Sequence, residues 1–252
     1  MLERIRHNDI LELKLARPPV NALNPELLSL LRDAIATAPG EGTRGLVISG
    51  GPKVFSAGLD VPALLSMDRD ELEAGWREFF GVLEALARSP LPSVAAITGH
   101  CPAGGAVMSL FCDYRVMARG PYRIGLNEVR VGLIVPECIQ YALRRLVGIH
   151  RAERLLIAGA MIESEDALAI GMVDELTDID HVPSRAVAWL QELLTLPSKA
   201  MRATRAIARA DLVEAICDPT RLDLPRFLDE WYSEETQAVL TALVTRLRSK
   251  AA

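Results

Sequence analysis

Apolar residues along this chain follow two rhythms. Residues 10–16 alternate apolar and polar side chains, as a half-buried strand does. Arg17-Pro18-Pro19 then ends the strand, because proline removes a ladder donor and fixes the backbone. Asn24-Pro25-Glu26 opens a helix, with Asn24 as N-cap, Pro25 at the first helical position and Glu26 favoured by the dipole. That helix runs to about Ala38 and stops at Pro39-Gly40. Residues 44–49 form a short buried strand before the Gly50-Gly51-Pro52 loop. Helical spacing returns over residues 68–88, where Leu72, Trp76, Phe79, Phe80, Leu83 and Leu86 share an apolar face suited to core packing.

Further on, residues 93–98 and 113–118 read as buried strands flanking a small-residue helix at 103–111. Residues 136–146, 150–158, 163–169, 182–194, 198–208 and 227–248 read as helices. Strands thus alternate with helices to about residue 125, and helices dominate afterwards. The pattern predicts an α/β fold with a helical tail. A doubly wound nucleotide fold is poorly supported, because no GxGxxG follows the first strand and no GxxxxGK[ST] occurs.

Composition narrows the reading a little. The 252 residues suffice for a substantial core, and a net charge of −5 argues against a general nucleic-acid binder. Cys101, Cys112, Cys138 and Cys217 are spread without a CxxC pair and read as reduced thiols, which favours the cytoplasm. Residues 1–9 are charged and carry no apolar run, so no signal peptide is expected, and no stretch is apolar enough to span a bilayer.

Two glycine-bearing turns carry the candidate chemistry. One is Val54-Phe55-Ser56-Ala57-Gly58-Leu59-Asp60, and the other is the strand-to-helix turn of residues 99–105. Small residues let backbone approach a ligand closely. Two such turns facing each other can direct a pair of N–H groups at charge developing on a carbonyl oxygen. Downstream stands one acid, Glu128, in the frame Gly125-Leu126-Asn127-Glu128. His7, His100, His150 and His181 show neither metal spacing nor a partnered nucleophile. Asp113 reads as a buried structural acid, and Lys199, Arg202, Arg205 and Arg209 read as a solvated basic face.

Phe55-Ser56-Ala57-Gly58-Leu59-Asp60 and GHCPAGGAVMSLFCDYRV (residues 99–116) resemble the two oxyanion turns of the crotonase (enoyl-CoA hydratase/isomerase) superfamily. Within it, the CPAGG turn, the CDYR strand, IGLNE and the Pro18-Pro19-Val20-Asn21 segment are most similar to mitochondrial-type 3,2-trans-enoyl-CoA isomerases. The resemblance covers most of residues 10–175. It implies a spiral of repeated strand-strand-helix units over residues 1–195, and a C-terminal helical region at 196–252 serving oligomerisation and active-site cover. It also implies a homotrimer or a dimer of trimers, with no nucleic acid or membrane partner.

By the same resemblance, the backbone N–H groups of Leu59 and Gly104 form the oxyanion hole, and Glu128 is the acid/base. Ala57, Gly58, Asp60 and Val61 line the thioester and pantetheine end, and Asn127 lies beside the acyl group. The substrate is a coenzyme A thioester and no metal or redox cofactor is expected. Hydratases of the superfamily use a second glutamate at the position of Val107, so the aliphatic residue favours an isomerase that moves the double bond of 3-enoyl-CoA to 2-trans-enoyl-CoA during oxidation of unsaturated fatty acids. Glu137, just after Pro136, is a possible second acid, although proline followed by glutamate is also a favourable helix start. The alternatives are a hydratase or other crotonase-type acyl-CoA enzyme using Glu137, and a non-enzymatic acyl-CoA-binding or RNA-associated relative.

Overall fold

Strands are laid down alternately in two sheets, and helices return the chain between them. The computed structural model describes the backbone of residues 1–251 and the side chains of residues 1–249. β1 (Leu2–His7) and β2 (Ile10–Leu15) form an antiparallel hairpin turned at Asn8, whose φ is +58°. α1 (Pro25–Thr37) follows, capped by Asn24 through a 3.0 Å bond from Leu27 N. β3 (Gly45–Ser49), β4 (Lys53–Val54), the single turn α2 (Val61–Leu64) and the long α3 (Arg69–Arg88) complete one winding. β5 (Ser93–Ile97), β6 (Gly99–Pro102) and α4 (Gly104–Leu110) make the next.

A third winding has β7 (Tyr114–Ala118) and β8 (Arg123–Gly125), then a 3-10 turn at Glu128–Val131, α5 (Glu137–Val147) and α6 (Ile149–Ala158). β9 (Ile162–Glu163), α7 (Ser164–Ala169), β10 (Glu175–Thr177) and α8 (Val182–Leu193) close the strand-bearing part. Helices α9 (Ser198–Ala208), α10 (Ala210–Cys217), α11 (Pro219–Leu222), α12 (Leu224–Trp231) and α13 (Glu234–Ala251) follow.

The larger sheet has the order β1-β2-β3-β5-β7-β10 and is parallel except for the β1–β2 pair. The smaller has the order β4-β6-β8-β9. Each winding therefore contributes one strand to each sheet, which makes the path a spiral. The larger sheet is buried on both faces, as parallel sheets are. Leu46, Ile48, Ala95 and Ile97 face the main core, while Val47, Val94 and Ala96 pack with Val182, Ala186 and Leu190 of α8. The helices after residue 195 share the main core through Leu212, Ile216, Leu224, Phe227, Trp231 and Leu240.

Besides the short strands β4, β6, β8 and β10, which the sequence reading left unassigned, four local outcomes differ from it. The charged stretch at residues 1–9 contains an edge strand, where a two-residue connection suffices to fold it back on β2. The helix expected over 227–248 is two helices, because Ser233 Oγ accepts from Thr236 N and starts α13 afresh. α10 and α11 occupy a stretch the periodicity left unassigned.

The expected basic face is the fourth. Lys199 is exposed, but Arg205 and Arg209 turn inward onto Asp113. Arg205 donates through Nε and Nη2 to both Asp113 oxygens at 2.9 Å, and Arg209 Nη1 reaches Oδ1 at 3.1 Å. Ser93 N completes the carboxylate's shell at 2.8 Å. Asp113 therefore anchors α9 and α10 to the end of β5, and burial lowers the pKa of Arg209.

Candidate active site

β4, β6 and β8 are parallel neighbours, with Val54 opposite His100 and Pro102 opposite Gly125. Parallel strands release their following loops at the same end of a sheet. The turns at 55–60, 103–105 and 126–128 therefore emerge side by side, though nearly 75 residues of chain separate the first from the last.

The first turn is shaped by backbone pairing with Leu23. Leu23 N donates to Gly58 O at 2.8 Å and Asp60 N donates to Leu23 O at 3.0 Å, making a parallel bridge between Leu23 and Leu59. Those bonds use the groups on either side of Leu59, so its own N–H faces the opposite way. Gly58 sits at φ +85°, which a side chain resists. Around it, Ser56 Oγ accepts from Gly58 N at 3.1 Å and donates to Asn21 O at 2.8 Å. Asn21 Nδ2 donates to Phe55 O at 3.1 Å, and Ala57 N donates to Val20 O at 2.9 Å.

Arg17 completes the clamp. Its Nη2 donates to Asp60 Oδ2 at 2.6 Å and its Nη1 to Ala22 O at 2.9 Å. Asp60 Oδ1 accepts from Ala63 N and caps α2. The structure thus gives Asp60 a role in shaping the turn, while Ala57 is exposed, Gly58 buried and Val61 half-buried at the start of α2. Arg17 stood out in the sequence only as the residue before the proline pair, whereas Asn21 and Ser56 lay within the PPVN and FSAGLD motifs without a role of their own.

Ala103 sets the second turn, at φ +46° and ψ −124°, a region that strains a residue bearing Cβ. This rotation directs the following peptide toward the first turn. A Cβ built on Gly58 would lie 3.2 Å from Gly104 N, and one built on Gly104 would lie 3.5 Å from Leu59 N. The same Gly104 position is 3.4 Å from Phe79 Cε2 and Leu23 Cδ1, so apolar side chains border the donors. Among the described residues, neither Leu59 N–H nor Gly104 N–H has a protein acceptor. Two close, unpartnered donors are the arrangement that stabilises an oxyanion.

Glu128 opens the 3-10 turn after β8 and is half-buried. Its Oε2 is sealed from solvent without a hydrogen-bond partner, and so is Oδ1 of Asn127. Burial pushes the Glu128 carboxyl up to about 7, against a smaller downward pull from its own backbone N–H. Such a group is poised to exchange protons near neutral pH.

Other candidates are engaged elsewhere. Val107 is fully buried in α4 and offers no acid. Glu137 begins α5, where Oε1 accepts from Arg144 Nη2 at 2.5 Å, while its buried Oε2 has no hydrogen-bond partner and faces Arg221 Nη1 at 3.5 Å. His100 is exposed and accepts from Arg123 N through Nδ1. Among the described residues no group of three or more His, Cys, Asp or Glu side chains is arranged to hold a metal ion.

The family model described as enoyl-CoA hydratase/isomerase matches residues 6–247. Human mitochondrial enoyl-CoA delta isomerase 1 is 31% identical over 241 residues, covering 94% of this chain and 80% of that protein. A Mycobacterium avium protein named as an enoyl-CoA hydratase is 33% identical over 198 residues, covering 77% of this chain and 76% of its own length. The crystal structure of human mitochondrial delta3-delta2-enoyl-CoA isomerase superposes with a TM-score of 0.94 at 29% identity, over 100% of this chain and 99% of that one. This chain is a member of the enoyl-CoA hydratase/isomerase (crotonase) family.

Proposed function

We propose that the protein is an enoyl-CoA isomerase that converts 3-enoyl-CoA to 2-trans-enoyl-CoA, with Glu128 as its single acid/base. The observation carrying this reading is the carboxyl of Glu128, raised by burial, on the turn that follows β8, next in the sheet to the strand that leads to one of a pair of unpartnered N–H groups. In a 3-enoyl thioester the C2 protons are acidified by both the carbonyl and the neighbouring double bond. Glu128 removes one of them, and the C2–H electron pair moves into a dienolate whose charge rests on the thioester oxygen. Leu59 N–H and Gly104 N–H hold that oxygen; loss of one such donor typically raises the barrier by ~3 kcal/mol.

The protonated Glu128 then returns the same proton to C4. The double bond shifts into conjugation and the carboxylate is regenerated. The overall change is an isomerisation, with no atom gained or lost. Apolar walls at Phe79 and Leu23 suit an acyl chain and keep water from the dienolate. The coenzyme A portion acts as a remote handle whose binding energy orients the reacting carbons.

Hydration is the competing reading, favoured by the mycobacterial relative's name. It calls for a second group to activate water, yet Val107 is aliphatic and Glu137 is paired with two arginines. Purified protein incubated with a 3-enoyl-CoA, and separately with a 2-enoyl-CoA, distinguishes them. Conjugation of the first without water addition to the second is expected; hydration without isomerisation would reject the proposal.

We also propose self-association, as a trimer on the family resemblance. Exposed Val129, Ile134, Ile149 and Ile157 border an apolar groove of about 480 Å³ beside the Glu128 turn, a face suited to a second copy. The free thiols of Cys101, Cys112 and Cys138, all buried, suit a reducing compartment, and the cytoplasm remains the proposed location.

A further inference from the structure

The turn that carries Glu128 is short and makes few bonds of its own. Gly132 N donates back to Val129 O at 3.3 Å and Leu133 N to Glu128 O at 3.1 Å. Two distant elements hold it from outside. Arg130 Nε donates to Gly159 O, at the end of α6, at 2.6 Å. On the other side, Thr236 Oγ1 donates to Gly132 O at 2.7 Å across 104 residues of sequence.

The second contact is built in detail. Thr236 is 3% exposed, in the first turn of α13. Its N–H donates to Ser233 Oγ at 3.2 Å, and Ser233 Oγ–H donates to Thr236 Oγ1 at 3.0 Å. The Thr236 hydroxyl proton is thereby left for Gly132 O. Gly132 takes φ +76°, and a Cβ there would lie 3.1 Å from Thr236 Cα, so the two backbones meet with no room for a side chain. Five residues earlier, Trp231 of α12 packs edge-on against Trp76 of α3, fixing the start of this helix on the main core.

We propose that Thr236 is a positioning residue for catalysis: its hydroxyl locks the Gly132 carbonyl and so fixes the orientation and burial of Glu128. The proposal rests on the reading of Glu128 as the base. It gives the C-terminal helix a specific part in the reaction, since removing the lock lets the turn open toward water. The packed helices carry charged residues, among them Glu234 and Glu235 of α13 and His150, Arg151, Glu153 and Arg154 of α6, and the turn itself carries Arg130, but the elevated Glu128 carboxyl follows chiefly from burial.

The test compares wild type, Thr236→Val, which keeps the shape without the hydroxyl, and Thr236→Ser, which keeps the hydroxyl. Two readouts are measured: kcat and KM for a 3-enoyl-CoA, and titration of the Glu128 carboxyl by carbon NMR in substrate-free protein. Thr236→Val is expected to lower kcat on the order of tenfold with KM little changed, and to move the Glu128 midpoint down from about 7 toward 4.5. Thr236→Ser should restore both. A valine variant with wild-type kcat and titration overturns the proposal, as does a loss of thermal stability with neither readout altered. A serine variant that behaves like valine also overturns it. If wild type fails to isomerise while the valine variant still shifts the titration, the positioning role stands and the assigned reaction falls.

Discussion

Ala103 N donates to Gly125 O at 2.9 Å, so the turn that aims Gly104 and the strand that leads to Glu128 are one hydrogen bond apart. The proposed oxyanion donor and the proposed base are thus placed at the same end of the small sheet. Ala103 keeps this geometry at φ +46°, where glycine is at ease and a β-branched residue is not. Ala103→Gly should therefore retain most of wild-type kcat. Ala103→Val should lower it by about 10² as the Gly104 N–H turns away. Steady-state kinetics on a 3-enoyl-CoA checks both, and equal rates in the two variants would show that the second turn supplies no donor.

Glu128→Gln is expected to lower isomerisation by about 10³-fold, within the range for loss of a general base. Acyl-CoA affinity, read by calorimetry, should change little because the amide keeps the shape. Leu59→Ala should matter far less, since Leu59 acts through its backbone. Near-normal turnover in Glu128→Gln would transfer the role to another acid, with Glu137 first in line.

The elevated Glu128 carboxyl also fixes the sign of two pH effects. The base is active when ionised, so kcat/KM should fall as pH drops through about 7. For stability, the native state holds its proton to a higher pH than the unfolded chain, whose carboxyl has its ordinary value of 4.5. The native state therefore binds more protons between these values, and stability decreases as pH rises from about 4.5 to 7. Glu128→Gln should remove that slope and leave the protein more stable than wild type above pH 7, by about 3 kcal/mol. Urea unfolding at pH 5 and pH 8 measures the difference, and parallel pH profiles for the two proteins would contradict it.

Local features of the fold were readable from the sequence because their physics is local. Asn24 caps α1 three residues from its partner, as its place before Pro25-Glu26 implied, and the apolar spacing over residues 68–88 is α3. The two glycine turns and Glu128 were visible as motifs. What adjoining residues could not disclose is how β4, β6 and β8 line up, since strand order depends on pairing across the whole chain. The clamps share that property: Arg17 meets Asp60 across 43 residues, and Thr236 meets Gly132 across 104. Arg205 and Arg209 misled for the same reason, because helical spacing does not reveal an aspartate 92 residues away.

The Arg17–Asp60 pair should affect the reaction without touching substrate. Arg17→Met removes the bonds to Asp60 and Ala22 and frees the first turn, so kcat should drop about tenfold with the pH midpoint unchanged. An unaltered kcat would mean that Asn21 and Ser56 suffice to hold Leu59.

Assembly is tested at the face beside the base. Ile149 and Ile157 are 73% and 75% exposed on α6, eight residues apart on one side of the helix. With Val129 and Ile134 at the flanks of the Glu128 turn, they form an apolar surface that a second copy would remove from water. The double substitution Ile149→Glu and Ile157→Glu puts two charges into that contact and should reduce the mass seen by light scattering. Because the covered face adjoins the turn, dissociation should also expose Glu128 further and move the kcat/KM midpoint below its wild-type position. Dissociation with an unchanged midpoint would make assembly independent of the base. An undiminished mass would place the interface elsewhere, and a wild-type protein that is already monomeric would remove the assembly proposal altogether.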